Sequence, residues 1–160
     1  MKMDLDKKLA VLAGIAHKFN DKQVTWAIGA SALLYFRGVA EAFADIDIVI
    51  AESDVDSVKE ILAACGTQQA SPPNVQYQTK VFLEYVIEGV GVDIMAGFTV
   101  VKDGVAHYFP LEKKKITEHI TVGGAAIPLQ SLEEWKLYYA LMGRTEKVVL
   151  IERKQKEKQE

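Results

Sequence analysis

The sequence is poor in cysteine and nearly balanced in charge, and both features exclude certain kinds of protein. Cys65 is the only cysteine in 160 residues, so these residues hold neither an intrachain disulfide nor a zinc site built from several cysteines. The formal net charge is −3 and no long basic stripe occurs, so charge gives no argument for a nucleic-acid surface. We expect a reducing, cytoplasmic setting.

Long apolar runs are also missing. None approaches the roughly 20 residues that a helix needs to cross a bilayer, and residues 1–8 lack the apolar core of a signal peptide. Hydrophobic residues nevertheless make up 49% of the chain, which is enough for one packed core. We predict no membrane segment and a single domain over residues 1–160, with a core over about 1–128 and C-terminal helices over about 131–158.

The apolar residues that are present predict an α+β fold with a mixed sheet and helices packed on it. In the first half, helical spacing over residues 5–19 and 55–65 alternates with strand-like runs at 24–28 and 45–50. Residues 68–74, which include Ser71-Pro72-Pro73, read as a loop. The second half is rich in short β runs that predict an antiparallel meander, over residues 81–87, 90–95, 98–101, 105–109 and 116–122.

Turn and cap residues fit this division. Glu88-Gly89, Asp103-Gly104 and Gly123-Gly124 separate the β runs and predict hairpin turns. Ser131 with Glu134 predicts a capping box at the start of a C-terminal helix. Residues 152–160 are all charged residues and glutamine, and we expect them to fray into solvent.

Asp45 and Asp47 open the second strand of the first half. Side chains two residues apart in a strand point the same way, so these two carboxylates lie side by side. Each raises the pKa of the other, and the apolar strand offers them little hydration. A divalent cation such as Mg²⁺ would relieve this repulsion, although two carboxylates at a strand end could also simply face water.

Asp93 is a third acidic candidate, within the apolar run of residues 90–95. A carboxylate between Val92 and Ile94 is costly to bury without a partner. If its strand lies beside the strand of Asp45 and Asp47, the three carboxylates suit two-metal phosphoryl transfer. Glu84 and Glu88 could also approach this cluster, but alternating charge on a solvent-facing strand explains them equally well.

A Gly29-Ala30-Ser31 turn lies where an apolar strand gives way to helix-forming residues. Free backbone N–H groups at a helix start favour phosphate; Gly29 would allow close approach and Ser31 could donate to a phosphate oxygen. A cap role for Ser31 is the simpler alternative. Arg37 at the end of the same helix could hold pyrophosphate or could serve the helix dipole.

Together these motifs resemble the minimal nucleotidyltransferases of the polymerase-beta-like superfamily. The resemblance is carried by Gly29-Ala30-Ser31, Asp45-Ile46-Asp47 and Val92-Asp93. A second match, residues 127–137 followed by Arg144, is similar to the helix after the core in bacterial abortive-infection and toxin-type members.

The resemblance implies a metal-dependent transfer of a nucleoside monophosphate from an NTP to a hydroxyl group. Asp45, Asp47 and Asp93 would then hold two Mg²⁺ ions, or Mn²⁺, and Lys136 would contact nucleotide phosphate. The acceptor could be a small molecule such as an antibiotic, a partner protein or a tRNA end. The alternatives are a nucleotide-binding or partner-binding module without turnover, as in a toxin–antitoxin pair, and a structural protein with solvated carboxylates.

Overall fold

The computed structural model describes residues 2–70 and 79–159. The predicted loop residues 71–74 lie outside this part of the chain. Five α-helices and nine strands occur in the described residues, in this order: α1 Lys2–Asp21, β1 Trp26–Ile28, α2 Ala30–Phe36, β2 Ile46–Ile50, α3 Val55–Ala63, β3 Thr67–Gln69, β4 Val81–Ile87, β5 Val90–Ala96, β6 Phe98–Lys102, β7 Val105–Phe109, β8 Glu118–Val122, β9 Ala125–Leu129, α4 Leu132–Leu141 and α5 Thr145–Gln159.

Seven strands form one mixed sheet in the order β3-β4-β5-β2-β1-β9-β8, and β6 and β7 form a separate two-stranded sheet. Strands β2 and β5 run parallel, as do β1 and β9, and the remaining pairs are antiparallel. The predicted α+β class with a mixed sheet is therefore confirmed. The single meander predicted for the second half is wrong, because its three hairpins separate in space and β5 joins β2 from the first half.

The predicted turns and the capping box are confirmed. Both residues of each two-residue turn have positive φ, for example 50° at Glu88 and 80° at Gly89, as a right-twisted hairpin requires. The side chain of Ser131 accepts from the N–H of Glu134, and the side chain of Glu134 accepts from the N–H of Ser131. These local signals therefore fix where the strands reverse and where α4 begins.

One face of the large sheet, called the back face below, packs against α1. Ile46, Ile48 and Ile50 alternate along β2 and are fully buried. Trp26 lies opposite Ile50 and makes an edge-to-face contact with Phe19 of α1, with ring centroids 5.4 Å apart. Burial of these apolar side chains is the main force that sets the strand orientation of β2.

The opposite face, called the front face below, carries the side chains at the alternate positions of β2. Helix α2 contacts β2 and α4, and the β6–β7 hairpin packs on α4 through aromatic rings. The Phe98 ring lies 5.5 Å from that of Trp135, and the Phe109 ring lies 4.5 Å from that of Tyr138. These contacts, each stabilising beyond its buried area, hold the hairpin against the C-terminal helix.

Two further predictions need correction. The predicted loop over residues 68–74 is wrong at Gln68 and Gln69, which belong to the edge strand β3. Strand β9, which contains Pro128, is an additional strand that was not predicted. The prediction that residues 152–160 fray is wrong for residues 152–159, which continue α5 to Gln159. Ile151 is fully buried, and Gln155 hydrogen-bonds to Lys136 and Glu133 of α4. Within the described residues, no helix combines the length and the hydropathy needed to cross a membrane.

Candidate active site

Asp47 and Asp93 are neighbours across the parallel strands β2 and β5. The strand register pairs one with the other, so both side chains leave the front face, about 5 Å apart at the backbone. Their immediate strand neighbours Ile46, Ile48 and Val92 are fully buried on the back face. The strand that carries Asp93 therefore lies beside the strand of the aspartate pair, as the three-carboxylate hypothesis requires.

Asp45 lies just before β2 and approaches this pair from the exposed end of the strands. Its carboxyl group rests against Gly91, which lies two residues before Asp93 on the same face of β5. The charge of Asp45 raises the pKa of both Asp47 and Asp93. Three carboxylates from two chain segments are thus brought into electrostatic contact.

Burial gives the paired carboxyls an unusual affinity for protons. Burial, followed by the charge of Asp93, raises the pKa of Asp47 to about 7, although a hydrogen bond from Ser31 lowers it. Burial is also the largest cause of the rise in the pKa of Asp93 to about 6, followed by the charges of Asp45 and Glu84. Near neutral pH the pair therefore retains part of its protons, and a bound cation would displace them.

Glu84 is a fourth carboxylate in the same row. Strand β4 is antiparallel to β5 and pairs Glu84 with Asp93, so the Glu84 side chain also belongs to the front face. Glu88 instead occupies the hairpin turn with φ of 50° and serves turn geometry. The alternation along β4 predicts that Phe82, Glu84 and Val86 share one face of the strand. Only the pairing of β4 with β5 shows that this is the face that carries Asp93.

The Gly29-Ala30-Ser31 turn joins β1 to α2 directly beside Asp47. The N–H of Gly29 donates to the backbone carbonyl of Asp47 at 3.0 Å. A Cβ at Gly29 would lie 2.7 Å from Oε1 of Gln130 and 2.8 Å from the indole ring of Trp135. Glycine is therefore required here because the start of α4 packs tightly against the turn.

Ser31 does not cap α2. The N-cap position is Gly29, without a side-chain cap, and the Ser31 hydroxyl instead donates to Oδ2 of Asp47 at 3.0 Å. The N–H of Ala32 also donates to the Asp47 carboxylate, which lowers its pKa. The capping alternative is therefore wrong, and the start of α2 is tied to the aspartate pair.

The charged groups of Arg37 and Lys136 bond to residues other than the three aspartates. The guanidinium of Arg37 donates to the carbonyl of Gln130 at 2.7 and 3.3 Å and pairs with Glu118 at 3.0 Å. Lys136 donates to Gln155 at 3.2 Å and lies 3.7 Å from a carboxylate oxygen of Glu133. Their predicted phosphate contacts remain predictions.

The residues of the site match the ligand preference of Mg²⁺. Throughout residues 2–70 and 79–159, no three His, Cys, Asp or Glu side chains form a ready-made metal-binding group. The donors are instead the paired carboxylates of Asp47 and Asp93, with Asp45 alongside. Mg²⁺ commonly binds through one or two carboxylates, with substrate phosphates and water completing its octahedron, so this oxygen-only donor set fits it.

Sequence comparison gives no relative, whereas structural comparison does. No protein-family model matches the chain, and no curated protein sequence matches it. Among solved structures, the chain is similar to the crystal structure of TM1012 from Thermotoga maritima, a protein provisionally described as a nucleotidyltransferase. The identity is 25% and the TM-score is 0.72, over 94% of each chain.

Two further similar structures contain bound small molecules. ANT(2″)-Ia in complex with adenylyl-2″-tobramycin is 12% identical, with a TM-score of 0.61 over 91% of this chain and 87% of that one. The lincosamide antibiotic adenylyltransferase LnuA, bound to lincomycin, is 16% identical, with a TM-score of 0.54 over 83% of this chain and 84% of that one. These likenesses establish the architecture: the chain has a nucleotidyltransferase-like fold.

Proposed function

We propose that the protein is a Mg²⁺-dependent nucleotidyltransferase that moves a nucleoside monophosphate from an NTP to a hydroxyl group of an acceptor. The observation that carries this proposal is the pairing of Asp47 with Asp93, next to the turn that contains Ser31. The structural neighbours support nucleotidyl transfer as the general reaction.

Asp45, Asp47 and Asp93 are the proposed metal ligands, for two Mg²⁺ ions or for Mn²⁺ in their place. When bound, the metal neutralises charge on the phosphates and on the attacking and leaving oxygens. The raised pKa values of Asp47 and Asp93 support this assignment, because burial and then mutual repulsion disfavour the charged carboxylates, and a bound cation offsets both effects.

Gly29 and Ser31 are the proposed phosphate contacts on the β1 side of the pair. The Ser31 hydroxyl now donates to the Asp47 carboxylate. When that carboxylate binds metal, the hydroxyl would instead donate to a phosphate oxygen. Arg37 and Lys136 complete the proposed set as sources of positive charge. To bind phosphate, Arg37 would release its contacts with Gln130 and Glu118. Lys136 would likewise release its contacts with Gln155 and Glu133.

Asp93 has a proposed second role in accepting the proton of the acceptor hydroxyl. In this reaction the acceptor oxygen forms a bond to the α-phosphorus, and the bond from that phosphorus to pyrophosphate breaks. The Asp93 carboxyl lies beside Asp47 on the front face, where a carboxylate oxygen that is not bound to metal could accept this proton. The acceptor stays open between a small molecule such as an antibiotic, a protein and a tRNA end.

A second candidate is a module that binds a nucleotide or a protein partner without turnover, as one half of a toxin–antitoxin pair. The observation that favours this candidate is that Arg37 and Lys136, the proposed sources of positive charge, bond to other residues of the protein.

Label transfer distinguishes the two functions. Each of the four NTPs, labelled at the α-phosphate or at the γ-phosphate, is incubated with Mg²⁺ and with tobramycin, lincomycin, total tRNA or cell-extract protein. A transferase moves the α-label and not the γ-label to one acceptor. Asp47→Asn should abolish the transfer, whereas Asp103→Asn, in the β6–β7 turn where asparagine tolerates φ of 51°, should retain it. Nucleotide binding without α-label transfer to any acceptor would favour the second candidate.

A further inference from the structure

Gly91 lies inside strand β5, two residues before Asp93. Glycine weakens a strand interior, because it loses more conformational entropy on folding than other residues and has no side chain to pack. Gly91 does not have a positive φ, in contrast to seven other glycines of the chain. Its backbone conformation is therefore one that alanine adopts freely, and conformation does not explain the glycine.

The space where a side chain would project from Gly91 is filled by Asp45. The three atoms nearest to a Cβ built at this position are Oδ1, Cγ and Cβ of Asp45, with Cγ at 3.0 Å, Cβ at 3.7 Å and Oδ1 nearer still. Other glycines without positive φ have different neighbours. Gly66, for example, faces the backbone carbonyl of Val86 and the side chain of Ile87, so it serves packing of the sheet.

We propose that Gly91 is a positioning residue for Asp45: its bare α-carbon lets the Asp45 carboxylate lie on β5 beside Asp93. The metal-binding consequence rests on the proposed function, whereas the steric contact does not. Asp45 is exposed, and its carboxylate is the free end of a short side chain. A methyl group at position 91 can therefore push this carboxylate aside without disturbing the core.

This geometry separates two effects of Gly91→Ala. Stability should change little, because strand propensity improves while only an exposed side chain moves. Metal binding should suffer, because a ligand displaced by about 1 Å no longer shares an ion with its partners. A glycine needed only for packing would show the reverse, with lost stability and intact metal affinity in the folded fraction.

The test compares Gly91→Ala, Asp45→Ala and the double variant with wild type. Gly14→Ala is the control for metal affinity, since a Cβ at Gly14 meets nothing within 4 Å. Because Gly14 lies inside α1, this control should itself raise the urea midpoint. Mn²⁺ affinity is measured by electron paramagnetic resonance in the presence of ATP, and stability is measured by urea unfolding. We expect Gly91→Ala to weaken Mn²⁺ binding at least fivefold, to shift the urea midpoint by less than about 0.3 M, and to have no further effect in the Asp45→Ala background.

A metal-free measurement keeps the steric inference separate from the proposed function. The side-chain carboxyl ¹³C resonance of Asp45 should move in Gly91→Ala and stay in place in Gly14→Ala. If wild type binds no Mn²⁺ but this resonance moves, the proposed function fails and the Gly91 contact stands. If the resonance does not move, or if Gly91→Ala weakens Mn²⁺ binding equally with and without Asp45, the inference is overturned.

If Gly91→Ala does not fold, folding of the double variant would support the steric contact between Gly91 and Asp45. Failure of both variants to fold would refute it.

Discussion

The Ser31 hydroxyl donates a 3.0 Å hydrogen bond to Oδ2 of Asp47, which joins the turn after β1 to the carboxylate pair on β2 and β5. Ser31 is the polar side chain that lowers the pKa of Asp47 against the effect of burial. The proposed phosphate contact and the proposed metal ligand are therefore coupled before any substrate is bound.

Ser31→Ala removes this coupling. We expect the pKa of Asp47 to rise further, and the free energy of unfolding at pH 8 to fall by about 1 kcal/mol, as for a lost hydrogen bond to a charged group that is partly solvated. The KM for NTP should rise about tenfold, in line with one lost polar contact to phosphate. Carboxyl ¹³C titration by NMR, urea unfolding and NTP kinetics measure the three effects. Ser57→Ala, at an exposed position of α3, should change none of them.

The pKa of Asp47 predicts a pH dependence of stability. This pKa rises from 3.8 to about 7 on folding, so the folded state binds more protons than the unfolded chain between these values, and stability falls as the pH rises through that range. Compared with Asp47→Asn, metal-free wild type should lose about 1–2 kcal/mol between pH 4 and pH 8, a value discounted for partial solvation.

Urea unfolding of both proteins at a series of pH values measures this difference, with Asp103→Asn as the control. Mg²⁺ with NTP should remove the loss at pH 8, because the cation replaces the proton. A difference between wild type and Asp47→Asn that is constant with pH would show that Asp47 is ionised in the fold without penalty.

Ala30 has φ of 50°, a left-handed conformation that costs an alanine about 1 kcal/mol relative to glycine. Ala30→Gly should therefore raise the free energy of unfolding by about 0.5–1 kcal/mol. Ala32→Gly, two residues later and fully buried in α2, should lower it by about 1 kcal/mol. Equal loss in both variants, measured by urea unfolding, would contradict a strained turn at residue 30.

Arg37 combines a structural contact with a proposed role in binding pyrophosphate. Its side chain is only 11% exposed and bonds the Gln130 carbonyl and Glu118, so Arg37→Ala should cost about 1–2 kcal/mol of stability. The KM for NTP should rise several-fold as well. Arg37→Lys keeps the positive charge but loses the forked geometry of the guanidinium. Its KM for NTP should therefore be close to the wild-type value, whereas its stability should remain below that of wild type. An unchanged KM in Arg37→Ala would leave Arg37 with its structural role alone.

The sequence carried enough information for the elements whose signals are local. The hairpins are marked by residues that accept positive φ, and the start of α4 by its capping box. The side-by-side placement of Asp45 and Asp47 follows from strand alternation. Strand β3 has exposed residues only, so no hydrophobic pattern indicated it. Strand β9 contains Pro128, a residue that argues against an interior strand. It is tolerated here, where the β1–β9 ladder consists of one pair, Ile28 with Leu129.

The site depends on strand pairing, which no local pattern contains. Asp93 was a candidate because of its apolar neighbours, but its contact with Asp47 requires that β5 cross from the second half of the chain to β2. The position of Glu84 likewise depends on strand pairing. The requirement for glycine at positions 29 and 91 also depends on tertiary contacts. Each of these depends on an atom far away in sequence, in Trp135 for Gly29 and in Asp45 for Gly91.

Calorimetric titration of an NTP, with and without Mg²⁺, into wild type, Asp47→Asn and Asp93→Asn tests the central claim most directly, with Asp103→Asn as the control. If the two register-paired carboxylates form one metal–nucleotide site, at least one NTP should bind wild type and the control only when Mg²⁺ is present. Either single substitution should weaken this binding at least tenfold. Binding that is equal with and without Mg²⁺, or that survives in Asp93→Asn, would contradict a shared site on β2 and β5.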